Sequence, residues 1–232
     1  MIGVVIPTLN EARYLPGLLA DLRLLGQAVP IDVVVADGGS SDATEAVAAA
    51  GGARLITASR GRARQLNAGA GAVRGEWLLL LHADCRLPPA TRRVLLAALV
   101  DEPKLDAGVF RFAIDLPAPW KRFIELGQAL RQRLGRLPYG DQGLVIRREL
   151  FQALGGYADI PIMEDVDMIR RVRRRRLEVR TLPATLVTSG RRYRERGVLR
   201  TWLANVLLIS LYLAGVPPGR LARWGRRGGR AA

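Results

Sequence analysis

Four short apolar runs, Ile2 to Ile6, Ile31 to Ala36, Arg54 to Thr57 and Trp77 to Leu81, alternate with helical patterns along the first part of the chain. Runs this short and this rich in Val, Ile and Leu read as strands, and the stretches between them are long enough for crossover helices. The result is an α/β fold with a central, mostly parallel sheet flanked by helices. Right-handed crossovers then gather ligands beyond the carboxyl ends of the strands. Asn10, Asp37 and Asp84 stand just past three of these runs, so they are expected to converge in space. Leu15, Leu18, Leu19 and Leu22 repeat at helical spacing after Asn10 and Glu11; Asn10 reads as an N-cap and the leucines as core.

A further strand is expected from Ala107 to Ile114, then a helix from Trp120 to about Leu134 and a turn over Pro138-Tyr-Gly-Asp-Gln-Gly143. Gly143 to Ile146 reads as a short strand, Arg148 to Leu154 as a short helix, and Glu164 to Arg176 as a longer one with an acidic start and an arginine-rich end. From about Gly197 the character changes. Trp202 to Val216 is almost wholly apolar and is flanked by Arg200, Arg220, Arg223, Arg226, Arg227 and Arg230. About 20 apolar residues are needed for a membrane span, so this stretch reads as an interfacial helix, a dimer contact or a core helix. The expected division is a domain over 1–196 and a basic, apolar helical extension over 197–232.

The formal charge of +15 is concentrated late: net +2 over residues 1–164 and net +13 over 165–232. Such a surface attracts nucleic acid, anionic membrane or phosphorylated substrates, or is a solvated arginine-rich face. One cysteine, Cys85, rules out an internal disulfide, and one His with one Cys cannot build a tetrahedral zinc site. A cytoplasmic setting is expected, with a peripheral position at the inner face of the cell membrane as an option. The start Met1-Ile-Gly-Val-Val-Ile-Pro reads as a core strand and not a secretion signal.

The chemistry lies in the acidic sites. In Asp37-Gly-Gly-Ser-Ser-Asp42 the glycines let backbone approach a ligand, and a helix starting at Asp42 would offer N–H groups to an anion. Glu164 and Asp165 sit at a helix start, where carboxylates are also favoured by the helix dipole alone, by about 0.3–1 kcal/mol each.

Together, Pro7-Thr-Leu-Asn-Glu11, Asp37-Gly-Gly-Ser-Ser-Asp42, Gly61-Arg-Ala-Arg-Gln-Leu-Asn67, Leu81-His-Ala-Asp-Cys85 and Met163-Glu-Asp-Val-Asp167 resemble the family 2 nucleotide-sugar glycosyltransferases of GT-A fold over about residues 1–190. Tyr139-Gly-Asp-Gln-Gly143 and Ser189-Gly-Arg-Arg192 look closest to a compact bacterial group linked to arsenosugar biosynthesis. The resemblance implies an inverting transfer of a sugar from a nucleotide diphosphate, UDP by family weight, to an acceptor hydroxyl whose identity it leaves open; a lipid-linked or phosphorylated acceptor would suit the basic, apolar C-terminus. Pro7, Thr8, Asn10, Glu11, Asp37, Gly38, Arg62, Asn67 and Ala83 would line the nucleotide, with Asp37 on the base edge. Asp84 matches the last carboxylate of the family's Asp-x-Asp motif, which holds Mn²⁺ or Mg²⁺ against the diphosphate. His82 replaces the motif's first Asp, and an imidazole ligand favours Mn²⁺. Asp165 matches the general base and Glu164 its neighbour; the adjacent charges can raise one another's pKa. Asp141, Gln142, Arg191 and Arg192 would face the acceptor or diphosphate, guanidinium suiting phosphate by its bidentate geometry.

Three other readings compete. A nucleic-acid-binding protein explains the basic end but not the acidic sites, and no recognition fingerprint or aromatic stacking series is present. A sugar nucleotidylyltransferase would need a glycine-rich loop with Arg and Lys where this chain has Pro7-Thr-Leu-Asn-Glu11. A degenerate transferase that binds nucleotide without turnover would fit His82 in the place of Asp.

Overall fold

The first strand, β1 (Ile2–Thr8), is buried along nearly its whole length, because both faces of the sheet are covered and neither can be polar. The computed structural model describes residues 1–101, 105–135 and 140–227. In chain order its elements continue with α1 (Leu15–Gly26), β2 (Ile31–Asp37), α2 (Thr44–Ala50), β3 (Arg54–Thr57), α3 (Arg62–Ala72), β4 (Trp77–Leu80), β5 (Cys85–Arg86) and α4 (Pro89–Asp101). Then follow β6 (Ala107–Asp115), α5 (Trp120–Gly135), β7 (Leu144–Arg147), α6 (Arg148–Ala153), α7 (Glu164–Arg174), β8 (Val179–Ser189), α8 (Arg191–Arg196), α9 (Val198–Leu213) and α10 (Pro218–Arg227). Pro138 and Tyr139 of the expected turn, and Arg230 of the basic end, lie outside the described residues.

One sheet runs in the order β3-β2-β1-β4-β7-β6-β8-β5. Strand side chains alternate faces, and the alternation assigns two cores. Ile2, Val4, Ile6, Leu79 and Leu81 meet the leucines of α1 and α4 on one side. Val5, Val34, Leu78 and Leu80 meet α3 and α7 on the other. Ile209, Tyr212 and Leu221 of α9 and α10 join that second core, so the C-terminal helices pack on the sheet's α7 side. No helix among the described residues is long and apolar enough to cross a membrane.

The sheet is mostly parallel as expected: four of its seven pairings are parallel, while β7 enters between β4 and β6 antiparallel to both. Three local expectations change. Strand β8 has no counterpart in the sequence reading, because Pro183 interrupts its alternation. Its pairing with β6 jumps from Phe110↔Leu182 to Arg111↔Thr185, and this bulge absorbs the residue that cannot donate to the ladder. Asn10 does not cap α1, which starts at Leu15 after Tyr14; Asn10 instead takes a left-handed φ of 58°. Helix α2 begins at Thr44, not Asp42, and Asp42 accepts the Thr44 N–H at 3.0 Å, so one N–H at that helix end is already taken by the chain.

Candidate active site

The ends of β1 and β2 are tied into one polar frame. Asp37 Oδ1 accepts from the Thr8 and Ser40 hydroxyls, and Oδ2 accepts the N–H groups of Gly39 at 2.9 Å and Ser40 at 2.7 Å. Gly39 makes this turn possible with φ +89°, a conformation side chains avoid. A carboxylate offers about four lone-pair positions, so Asp37 is fully engaged by its own loop. Burial raises its pKa, but the Ser40, Thr8 and Gly39 donors outweigh this and hold the carboxyl below its ordinary range. The segment after β1 is stitched to the same turn: Asn10 Oδ1 accepts from Ser41 N at 2.8 Å, Asn10 N donates to Ser40 Oγ at 2.8 Å, and Glu11 N donates to Thr44 Oγ1 at 2.9 Å. Beneath them Gln65 of α3, buried, donates to the Thr8 and Ala36 carbonyls at 2.6 and 2.9 Å and closes the gap between the two strands.

Arg191, at the start of α8, crosses to the opposite wall. Both its terminal nitrogens donate to the Glu11 carboxylate, Nε lies 3.4 Å from Asp84 Oδ2, and the guanidinium sits 4.7 Å over the Tyr14 ring. Burial works against the Arg191 charge, but Glu11 and Asp84 raise its pKa above the ordinary value. Glu11 is itself pushed up by burial, with Arg191 opposing and Asp84 and Asp42 adding repulsion.

Behind this wall a cavity of about 10 Å³, close to the room of one water, is lined by Arg62, Leu66, Leu80, His82, Leu144, Tyr157, Glu164 and Asp165. Arg62 Nη1 donates to the buried Glu164 at 3.0 Å. Glu164 raises the Arg62 pKa, burial opposes, and Asp165 adds to the rise. His82 is held well below its usual pKa first by burial and then by Arg62, Arg192 and Arg191, so its imidazole is neutral. Tyr157 is also pushed up, by burial first and then by Asp165 and Glu164.

The profile of the glycosyl transferase family 2 matches residues 3–155, well over half of the chain and spanning the walls just described up to α6. The chain belongs to glycosyl transferase family 2. No curated protein matches it. Among solved structures it is similar to a mannosyltransferase from Pyrobaculum calidifontis in complex with GDP-Man and Mn²⁺, with a TM-score of 0.66 and 22% identity over 94% of this chain and 66% of that one. It is also similar to glucosyl-3-phosphoglycerate synthase from Mycobacterium tuberculosis in complex with Mn²⁺ and UDP-glucose, with a TM-score of 0.64 and 20% identity over 89% and 78%. A third is a mycobacterial protein, with a TM-score of 0.59 and 20% identity over 82% and 65%. This chain therefore spans just under two thirds of the first and third of these structures. The shared fold is the GT-A architecture of the family 2 glycosyltransferases.

Within that family fold the residues singled out by sequence fall into three groups. Thr8, Asn10, Asp37 and Gly38 form the first wall, where a Cβ on Gly38 would meet the Gln65 amide at 3.0 Å. Glu11, Asp84 and Arg191 form the second, and Arg62, His82, Glu164 and Asp165 surround the cavity. Ala83 is buried in the turn between His82 and Asp84, and Pro7 is half-buried in β1. Two others serve the scaffold: Asn67 exchanges hydrogen bonds of 2.8 Å with the backbone N–H and carbonyl of Tyr157, and Gln142 donates to the Phe110 carbonyl at 2.8 Å. Asp141 lies in the short 3₁₀ turn beside Gln142, and Arg192 is exposed at the start of α8. Gln65, Tyr14 and Tyr157 carry no role in the sequence reading. A glutamine on the otherwise small and apolar buried side of α3 was the available signal for the first.

No cluster of three or more carboxylate, His or Cys side chains arranged to hold a metal occurs among the described residues. One carboxylate at Asp84 and one neutral imidazole at His82 are too few for a closed cage. The Asp84 carboxylate, in the second wall, suits a cation that arrives with a diphosphate, since Mg²⁺-type sites take one or two protein carboxylates and fill the remaining shell from phosphate and water, whereas His82 faces the cavity behind that wall.

Proposed function

We propose that this chain is an inverting glycosyltransferase that moves a sugar from a nucleotide diphosphate donor, UDP in the first instance, to an acceptor hydroxyl. The observation that carries the reading is the junction at Arg62, which ties the buried Glu164 to α3 and so presents Asp165, the next residue, at the cavity shared with His82. A base needs a fixed position more than an extreme pKa, and a buried, ion-paired neighbour supplies it. The frame of Thr8, Asn10, Asp37 and Gly38 receives the nucleoside. Asp37 shapes that frame through its four internal donors, and its base-edge contact is made by sharing or exchanging one of them.

Asp84, with His82, would hold Mn²⁺ or Mg²⁺ against the diphosphate; the ion supplies charge neutralisation for the leaving group. Arg191 and Arg192 approach the same charge from α8. Asp165 takes the proton of the acceptor hydroxyl, the hydroxyl oxygen bonds to the anomeric carbon, and the bond from that carbon to the diphosphate oxygen breaks. One displacement inverts the centre. Placement in the arsenosugar-linked group rests on Tyr139 to Gly143 and Ser189 to Arg192 and enters this proposal as its narrowest form.

The second reading, a nucleotide-binding protein without turnover, draws on the Arg191–Asp84 contact, which occupies the carboxylate that the ion would need. Thermal unfolding against UDP, GDP, CDP and dTDP, each with and without Mn²⁺, is the direct test. A ligand at about 100 times its Kd stabilises by about 2.7 kcal/mol. A metal-dependent shift with one nucleotide supports the proposal, and an α/β analysis of the product sugar by NMR checks inversion. Absence of a shift with all four removes it, and a shift that is the same without metal, with no turnover, moves the protein to the second reading.

A further inference from the structure

Helix α9 is covered on one side only. Thr201, Ile209 and Tyr212 are buried, whereas Leu199, Leu203, Val206 and Leu207, at three- and four-residue spacing, and Leu213 lie on the opposite side and are 39–58% exposed. Sixteen residues at 1.5 Å each make the helix about 24 Å long. Phe123 of α5 widens its apolar side, packed 5.0 Å from Trp202, and Trp224 of the adjoining α10 is 58% exposed. Single exposed leucines need no explanation, but five large apolar side chains on one side of a helix do.

The charge around this apolar side selects its partner. Arg196, Arg200, Arg220 and Arg223 are exposed at its two ends, and residues 196–232 contain seven arginines and no acidic side chain. A symmetric contact between two copies would bring these arginines toward their own kind, and the segment itself offers no carboxylate across that contact. A helix with an apolar side, cationic ends and a tryptophan at the rim is the pattern that lies in a lipid interface, where leucines enter the acyl boundary and arginines meet anionic headgroups. We propose that the α9–α10 face docks on an anionic lipid surface with α9 parallel to the membrane plane. Helix α8, only six residues long, joins Arg191 in the active site to the start of α9, so the docked face adjoins the catalytic wall. The proposal rests on exposure and charge and is independent of the glycosyl-transfer reading.

Flotation of the full chain with phosphatidylcholine vesicles, with and without phosphatidylglycerol, tests it. Binding is expected with the anionic vesicles, weakening as salt is raised. Leu203→Ser with Leu207→Ser should lower the partition coefficient about tenfold or more. Arg220→Gln with Arg223→Gln should lower it about 25-fold, at about fivefold per arginine. Both variants change exposed side chains, and an unchanged thermal midpoint verifies their folding; the salt titration on the unmodified chain needs no variant. Equal binding to neutral and anionic vesicles, no binding to either, or full affinity in the leucine variant overturns the proposal. A solution dimer that the leucine variant converts to monomer also overturns it and assigns the face to a second copy.

Discussion

A carboxylate acts according to its surroundings, and Asp37 shows how far those surroundings can claim one. Asp37 is buried and spent on four internal donors, so its first effect is on stability. Replacing it by Asn at neutral pH should cost about 1.5–3 kcal/mol, the value of charged hydrogen bonds lost to a buried site. The sign with pH follows from its depressed pKa. The stabilisation is present above the ordinary carboxyl value of 3.8 and is lost as pH falls through the lower folded value. Urea unfolding of Asp37→Asn and the unmodified chain should therefore converge only as pH falls below 3.8 and through the lower folded value, and a constant gap across the range would count against this account. In the proposed reaction Asp165 is the general base. Asp165→Asn should lower kcat by about 10²–10⁴-fold with the Kd for nucleoside diphosphate held within about twofold. Parallel loss of both would make it a binding residue.

Helix α3 shows how an element's packing overrules its propensity. A Cβ on Gly69 would sit 2.2 Å from Val5 Cγ1, on a stiff side chain in the central strand, whereas Gly71, two residues on, has open space around it. Helix propensity alone favours alanine at either position by up to about 1 kcal/mol. Overpacking against β1 costs about 1–3 kcal/mol and should win at Gly69. Gly69→Ala is expected to lower the thermal midpoint and Gly71→Ala to raise it slightly or leave it unchanged; a rise for both would mean that α3 can slide off β1. The same helix explains part of what sequence could not tell. Asn67 and Gln65 are polar residues in a motif that points to the nucleotide, yet one is spent on the Tyr157 backbone and the other on the ends of β1 and β2. Their partners lie 90 and 57 residues away, beyond any local pattern. Asn10 reads as a cap for a like reason: residue type fits a cap, but its carbonyl oxygen finds Ser41 across the site.

At the scale of the molecule, the short strand β5 pairs only with β8 at the edge of the sheet, and its Cys85 reports whether that edge opens separately. Cys85 is fully buried, 3.5 Å from Thr188 Oγ1, and burial followed by repulsion from Asp84 pushes the thiol up to about 12. Labelling by a thiol reagent at mildly alkaline pH should be slow and should accelerate with denaturant in step with global unfolding. Fast labelling of the native chain would mean that β5 detaches beside Asp84 without unfolding the rest. Chelation of divalent metal should abolish turnover and leave the unfolding midpoint of the nucleotide-free protein unchanged, because no described cluster depends on an ion. Read locally, the chain already determined its parallel strands, the apolar face of α1, and the places of Asp37, Asp84 and Asp165 near element ends, since strand and helix periods and turn residues act over a few positions. The antiparallel entry of β7, the bulge that admits Pro183, and the partners of Arg62 and Arg191, 102 and 180 residues distant, were decided only by the tertiary structure. Strand polarity and ion pairing depend on which distant segments compete for the same sheet edge or the same buried charge, and no local period carries that information.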